Sequence, residues 1–190
     1  MKKLILILIC FTWNIQAQER YEIPCKSYLF ELRMDSLKTQ IGIKEATGKN
    51  DGEVLKYQTV FGIRKQPYCK MLQDWAFFVN LRLHNDAPYH FNPLAISIYG
   101  FAQKKGLKTI YGGFVGDLIV WRNKGQVTGH IECIDSVMKR GWVMTIAGNT
   151  SNGKSGSQRE GNGVYRRQRN IKHPLSRILQ IRGLVGFKIN

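Results

Sequence analysis

Apolar residues recur at helical spacing in the first half of the chain. From Met71 they occupy positions i, i+1, i+4, i+7 and i+8, which predicts a buried helix that begins at about Cys69. Capping residues and similar spacing predict three more helices. These cover 27–46, the stretch from Asp51 to about Val60, and the stretch from Asn92 through Ala102 with Gly106 near its end.

From Gly112 onward the pattern changes to short apolar runs separated by glycine, as is typical of antiparallel strands. A long polar loop, 148–163, interrupts them. The predicted strands are 115–121, 129–134, 142–148, 163–167 and 179–187. Helices followed by strands predict an α+β domain in which a helical layer packs on an antiparallel sheet. Neither an internal repeat nor a linker divides the chain.

Residues 1–17 have the pattern of an export signal. Lys2 and Lys3 precede an apolar run, 4–13, that is too short to span a bilayer, and Ala17 offers a small residue for cleavage. No later run is long and apolar enough to span a membrane. We therefore expect a single mature domain, 18–190, in the periplasm or outside the cell, with no stable membrane insertion.

The chain is strongly basic, with a formal net charge of +16, which favours an anionic partner. A cytoplasmic protein of this charge would be a candidate for nucleic-acid binding, but an exported one meets cell-wall polymers, lipid headgroups or acidic glycans instead. We expect no nucleic-acid partner, and a generally basic soluble surface is an equally good explanation. Arg166, Arg167, Arg169 and Lys172 form a basic strip, which is either a strand edge protected by charge or a docking surface for anionic wall polymer.

Three cysteines remain after the predicted cleavage, namely Cys25, Cys69 and Cys133. An odd number in an oxidising compartment allows a Cys25–Cys133 disulfide with Cys69 left free, or three reduced thiols. Cys69 lies at the predicted start of a helix, where unpaired backbone N–H groups and the helix dipole favour the nucleophilic thiolate. The alternative is that Cys69 is a small buried apolar residue, which is the usual role of a free cysteine.

His130 is the one histidine inside a predicted core strand, and alternation places it on the same face as Glu132. Such a histidine can act as the base for an upstream thiol if a third polar group orients its ring. Asn149, at the end of the next strand, can accept the imidazole N–H through its amide oxygen, although Asn149 also suits a turn. Glu132 is a rival for the orienting role. Gln73, one turn beyond Cys69, either adds a hydrogen-bond donor to the site or is structural.

Seven segments carry a family resemblance when they are taken together and in order. They are IGIKEATGKNDG (41–52), YQTVFG (57–62), PYCKMLQDWAFF (67–78), GDLIVWR (116–122), GHIE (129–132), TIAGNTS (145–151) and GVYRR (163–167). In this order they resemble the CHAP family, the cysteine, histidine-dependent amidohydrolases/peptidases, which are papain-like peptidoglycan hydrolases. The resemblance covers roughly 28–170. It implies a papain-like fold with Cys69 as nucleophile, His130 as base and Asn149 as the orienting residue.

Two places depart from the family's pattern. Ala147 stands where related sequences often carry a glutamate two places before the asparagine. Lys70 and Met71 follow the nucleophile where small residues are common. The missing acid leaves the orienting role to Asn149, with Glu132 as an auxiliary.

These observations predict an exported cysteine hydrolase that cleaves an amide bond in peptidoglycan. It would act either as an N-acetylmuramoyl-L-alanine amidase or as a stem or cross-bridge endopeptidase. The alternative is a catalytically weak or inactive wall-binding protein of the same fold, which the loss of the acid at Ala147 favours. No cofactor is expected. No metal site is expected either, because 47–52 lacks the spaced carboxylates that a hard cation needs and the histidines show no zinc spacing.

Overall fold

The computed structural model describes residues 19–81, 86–109, 112–153, 161–172 and 179–190. The predicted export signal, 1–17, lies outside the described residues, as do His84 and His173. Within the described ranges, no helix is long and apolar enough to cross a membrane.

Four α-helices occupy the described part of the chain between residues 27 and 105. They are α1 (Ser27–Thr39), α2 (Leu55–Thr59), α3 (Cys69–Phe78) and α4 (Ser97–Lys105). α3 begins at Cys69, as its apolar spacing predicts. Gly106 follows the last residue of α4, so this helix ends where the sequence indicates.

α1 ends at Thr39, well before residue 46, so the predicted helix over 27–46 is too long. The residues just beyond the end of α1 form backbone hydrogen bonds with a strand residue, Val164, instead. The Ile43 carbonyl accepts a hydrogen bond from the Val164 N–H at 2.8 Å, and the Gly42 N–H donates to the Val164 carbonyl at 2.9 Å. Gly42 adopts a φ of +96°, which glycine tolerates and which is incompatible with a continuing helix.

Of the two predicted helix starts, one has the correct position and one does not. Asp51 directly precedes a 3-10 helix, Gly52–Val54, that continues into α2, so the predicted helix from Asp51 to about Val60 is present. The Asp51 carboxylate accepts hydrogen bonds from the N–H and the hydroxyl of Thr47, at 2.9 and 2.6 Å, rather than from the helix. Asn92 accepts a hydrogen bond from the Leu94 N–H at 2.9 Å in a turn, and α4 begins only at Ser97.

Seven strands form one sheet in the described part of the chain. They are β1 (Arg20–Cys25), β2 (Leu107–Thr109), β3 (Leu118–Asn123), β4 (Gly129–Val137), β5 (Trp142–Thr150), β6 (Gly163–Asn170) and β7 (Leu179–Ile189). Their order across the sheet is β2-β1-β7-β3-β4-β5-β6. The five predicted strands correspond to β3 through β7. β1 and β2 were not predicted.

The sheet is mixed, so the prediction of a purely antiparallel sheet is wrong. β1 runs parallel to β7, whereas the other neighbouring strands are antiparallel. A buried ion pair fixes β1 in this position: Arg20 donates to both carboxylate oxygens of Asp117, at 2.9 and 2.8 Å. Asp117 also accepts the N–H groups of Gly113 and Phe114, each at 3.1 Å. The buried charge of Arg20 is tolerated because Asp117 neutralises it. This pairing cannot be predicted from the sequence around Arg20.

The helices pack on one face of the sheet and form the main core, which confirms the α+β class. Helix and strand residues share this core, among them Leu29, Leu37, Leu72, Phe77, Ile98, Val120, Ile131, Cys133, Ile146 and Val185. A smaller apolar cluster contains Trp121 and Ile134 with Ile119, Val143 and Leu184. Because Ile131 belongs to the main core and Ile134 to the smaller cluster, side chains of β4 alternate between the two faces as predicted.

All three cysteines of the described chain are free and buried, so the Cys25–Cys133 disulfide is not formed. Cys25 lies on β1 and Cys133 on β4, and both β7 and β3 lie between these strands. Three strand spacings amount to about 14 Å, which is well beyond the roughly 7 Å that a disulfide can bridge between Cα atoms.

Candidate active site

Cys69 is the first residue of α3 and is 7% exposed. The helix begins here because Tyr68 has a non-helical backbone, with φ −113° and ψ 17°, and because its carbonyl accepts the first helical hydrogen bond from the Leu72 N–H at 2.9 Å. The N–H groups of the first turn then have no acceptor within the helix. They place partial positive charge next to the thiol, which favours a thiolate or an oxyanion there.

Tyr68, the residue before Cys69, is held in place by buried contacts. It is fully buried, and its hydroxyl lies 3.2 Å from Glu45 Oε1, to which it donates. Burial and the nearby Glu45 carboxylate raise the pKa of Tyr68, so the hydroxyl remains a donor. Gly148 allows β5 to approach closely, since a Cβ atom at this position would lie 2.9 Å from Leu72 Cδ2 and 3.3 Å from the Tyr68 ring.

His130 is the second residue of β4 and is 8% exposed. Its Nε2 lies 3.0 Å from Glu132 Oε1. Cys69 is close enough to interact with the same ring. Burial works against the charged ring, but the hydrogen bonds and charges of Cys69 and Glu132 outweigh it and raise the pKa of His130 to about 9. The imidazole is therefore protonated at neutral pH.

Glu132 is fully buried and is itself held by three groups. Arg169 reaches it in a bidentate arrangement, with Nε 2.9 Å from Oε2 and Nη2 2.6 Å from Oε1. The Thr145 hydroxyl donates to Oε2 at 2.6 Å. Burial alone would raise the pKa of Glu132, but the hydrogen bonds from His130 and Arg169 lower it to about 2. Glu132 is thus a fixed anion beside the imidazole.

Asn149 lies next to the end of β5, is 5% exposed and adopts a left-handed φ of 54°. Its backbone N–H contacts the Tyr68 hydroxyl, so Asn149 borders the residue that precedes Cys69. An imidazole has two ring nitrogens. Because Nε2 of His130 contacts Glu132 at 3.0 Å, the geometry favours Glu132 over Asn149 for orienting the ring.

Gln73 is fully buried, and both ends of its amide bind protein groups. Its Oε1 accepts a hydrogen bond from Arg33 Nη2 at 3.1 Å, and its Nε2 donates to the Ile146 carbonyl at 3.4 Å. Arg33 belongs to α1 and Ile146 to β5. Gln73 therefore connects α3 to its neighbours, which supports the structural interpretation.

Sequence reasoning missed a buried ion pair beside Cys69. The Lys70 ammonium contacts Asp74 Oδ1, and both side chains are fully buried. The Tyr89 hydroxyl donates to the same oxygen at 2.7 Å, and Lys70 Nζ lies 4.7 Å from the centre of the Tyr89 ring. Opposite charges four residues apart on an otherwise apolar helix were the available signal. Lys70 follows Cys69 because this pair anchors the first turn of α3.

The basic strip of the sequence is divided between two roles. β6 is an edge strand of the sheet. Arg166 and Lys172 are exposed, and Arg166 pairs with Asp135 at 2.9 Å. Arg167 and Arg169 are buried, and Arg169 carries the charge that fixes Glu132. The inward alternation of these two arginines was the signal that could have identified Arg169.

No family model, no curated protein and no solved structure gives a significant match to this chain. What the site can do is therefore judged from its geometry. A thiol at a helix start, a protonated imidazole and an anchored carboxylate form the set of groups that nucleophilic cysteine chemistry requires.

Proposed function

We propose that this protein is a cysteine hydrolase of papain-like, CHAP type that cleaves an amide bond in peptidoglycan. Its machinery comprises Cys69 as nucleophile, His130 as acid and base, and Glu132 as the orienting group. The observation that carries the proposal is the continuous series of contacts from Cys69 through His130 and Glu132 to Arg169. Apolar packing alone would not require a buried carboxylate that contacts a histidine on one side and an arginine on the other.

The first half of the reaction forms a thioester. The Cys69 thiolate attacks the carbonyl carbon of the scissile amide, and the developing oxyanion lies at the start of α3, where the Cys69 N–H can donate to it. His130 then gives its proton to the leaving nitrogen, the C–N bond breaks and the amine departs. The acyl group remains on the sulfur, and His130 is neutral.

The second half consumes one water molecule. Neutral His130 takes a proton from water while the oxygen attacks the thioester carbonyl, and the C–S bond then breaks. The acid product leaves, and the thiolate and imidazolium are restored. Glu132 keeps Nε2 of His130 bound throughout, so the other nitrogen faces the sulfur in both halves.

Glu132 also bears on the alternative of an inactive wall-binding protein. That alternative rested on Ala147, which lacks the acid of related sequences. Ala147 is fully buried on β5, and a carboxylate contacts His130 from β4 instead. The acid is thus present at a different position, which favours an active enzyme.

Peptidoglycan as the substrate rests on the resemblance, on the predicted export and on charge. The formal net charge of +16 suits a polymer whose peptides carry carboxylates. The bond is either the muramoyl–L-alanine amide or a peptide bond of the stem or cross-bridge.

The test is the digestion of purified sacculi, with mass spectrometry of the released muropeptides. We expect wild-type protein to release fragments whose new ends identify the bond, and Cys69→Ala to release none. Cys25→Ala is the matched control and should retain activity, because Cys25 lies on β1 away from the site. Release by Cys69→Ala at the wild-type rate would eliminate the mechanism.

Alkylation by iodoacetamide gives an independent measure of Cys69. Burial raises the pKa of Cys25 to about 11 and also raises the pKa of Cys133, so neither thiol should react at pH 7. We expect peptide mapping to find the label on Cys69 alone. A Cys69 that reacts no faster than these two would favour the structural interpretation of all three cysteines.

A further inference from the structure

A groove of about 310 Å³ lies where the end of β3 meets the start of β7. Its described lining contains three cationic side chains, Arg122, Lys124 and Arg182, and no acidic one. All three are exposed. A concave surface that carries charge of one sign concentrates ligands of the opposite sign and speeds their association.

The groove lies close to His130 along the sheet. In the strand register, Trp121 of β3 pairs with His130 on one side and with Ile181 of β7 on the other. Two strand spacings separate His130 from Ile181, which is about 10 Å. Arg122 pairs with Gly129, the residue just before His130.

Neighbouring groups position the two arginine side chains at the groove without neutralising their charge. Arg122 Nε donates to the Gln126 carbonyl at 2.8 Å, which fixes its guanidinium, and the guanidinium of Arg182 lies 5.4 Å from the centre of the Tyr99 ring. Glu19 is an acidic group that interacts electrostatically with Arg182. It is already bound to Lys108 and to the Tyr99 hydroxyl, at 2.9 Å each.

We propose that this groove, whose lining residue Ile181 lies about 10 Å from His130 across the sheet, binds a carboxylate of the substrate. The inference rests on the proposed function and narrows its substrate class to amides that carry a free carboxylate on one side of the scissile bond. Arginine suits this role because its planar guanidinium matches a carboxylate in two hydrogen bonds. Substrates with a carboxamide at that place would bind less tightly.

The experiment measures binding rather than turnover, so it uses protein that carries Cys69→Ala. The probes are a fluorescein-labelled muramoyl tetrapeptide with free carboxylates and the same peptide with its carboxylates amidated. The groove variant combines Lys124→Gln with Arg182→Gln. Each exposed charge contact is worth a factor of about 1.4 to 5, so the loss of two should raise the Kd of the acidic peptide about 2-fold to 25-fold. The Kd of the amidated peptide should not change, and salt near 1 M should remove the difference.

The matched control combines Lys139→Gln with Arg140→Gln. It removes the same charge from the far end of β4, about 25 Å or more from His130, and should leave both Kd values as they were. Equal weakening by groove and control variants, or equal weakening for both peptides, would overturn the inference.

The two proposals fail in different ways. Selective loss of acidic-peptide binding, together with a wild-type protein that releases no muropeptides, would retain the carboxylate site and refute the hydrolase. Release of muropeptides by wild type, together with unchanged binding in the groove variant, would refute the carboxylate site alone.

Discussion

Replacing Glu132 with glutamine tests the orienting role most directly. Glu132→Gln keeps the size and shape of the side chain, and its amide can still contact Nε2 of His130. What it removes is the negative charge 3.0 Å from that nitrogen. Since this charge raises the pKa of His130, the imidazolium should lose its proton at a lower pH in the variant.

The size of the effect follows from the pKa of His130. A value of about 9, against a usual 6.5, corresponds to about 3 kcal/mol in favour of the charged ring. Burial opposes the charged ring, so the favourable contributions of Cys69 and Glu132 together exceed this net value. Each supplies a hydrogen bond and a charge, so we assign at least about 1 to 2 kcal/mol to Glu132. The basic limb of the pH profile should therefore move down by at least about one pH unit.

The assay is kcat/KM for muropeptide release between pH 5 and 10. In wild type the rate should fall as pH rises through about 9, because the leaving amine then finds no proton on His130. The apparent pKa belongs to the Cys69–His130 pair as a whole. Glu132→Gln leaves the charge of Arg169 buried without its partner, so unfolding is measured alongside, and the double variant with Arg169→Gln restores neutrality.

An unchanged basic limb in both Glu132 variants would refute the assignment. Asn149→Ala supplies the comparison, because Asn149 was the sequence-based candidate for the same role. We expect its profile to keep the wild-type basic limb. If Asn149→Ala moves the limb and Glu132→Gln does not, Asn149 is the orienting residue.

Three further outcomes follow from the same contacts. Arg169→Gln should lower the free energy of unfolding in urea by about 3 to 5 kcal/mol, because the buried Glu132 carboxylate loses its bidentate cationic partner. Arg166→Gln, on the exposed side of β6, should change it by less than about 1 kcal/mol. The pKa of Glu132 is lowered to about 2 in the folded protein, against about 4.5 when unfolded. Ionised Glu132 should therefore stabilise the fold fully above pH 4.5, and this stabilisation should be lost as the pH falls toward 2. Glu132→Gln should make the free energy of unfolding less dependent on pH in that range. Gly148→Ala should place its Cβ against Leu72 and lower the free energy of unfolding, measured by thermal unfolding, by about 1 to 3 kcal/mol. It should also reduce muropeptide release at temperatures where the variant stays folded. Undiminished release would show that the site tolerates a displacement of α3.

The local sequence pattern was sufficient to predict the helix and the strands that carry the candidate site. The apolar spacing after Cys69 fixed the start of α3, and the glycine-separated apolar runs located β3 to β7. β1 was missed because its stability is not local. Its parallel neighbour is the last described strand, and the buried carboxylate that binds Arg20 in a bidentate arrangement belongs to Asp117, 97 residues away. A strand whose partners are this distant in sequence has no periodic signal of its own beyond a few alternating residues.

The sequence predicted which residues belong to the candidate site, but not which of them contact one another. Alternation placed His130 and Glu132 on one face, and the helix start singled out Cys69. The choice between Glu132 and Asn149 depended on Arg169, which the sequence showed only as one member of a basic strip. Whether an arginine on an edge strand points inward depends on the charge that faces it across the sheet, and that pairing emerges only when β4, β5 and β6 are aligned.

The position of β7 has a consequence for the order of folding. β7 lies between β1 and β3, so without it the sheet separates into β2-β1 on one side and β3-β4-β5-β6 on the other. Ribosomes make β7 after every other described strand, and closing a contact across nearly the whole chain is entropically slow. We therefore expect the nascent domain to remain unfolded until β7 emerges. Truncation within β7 should abolish the folding of the whole described sheet, rather than remove one edge strand from it.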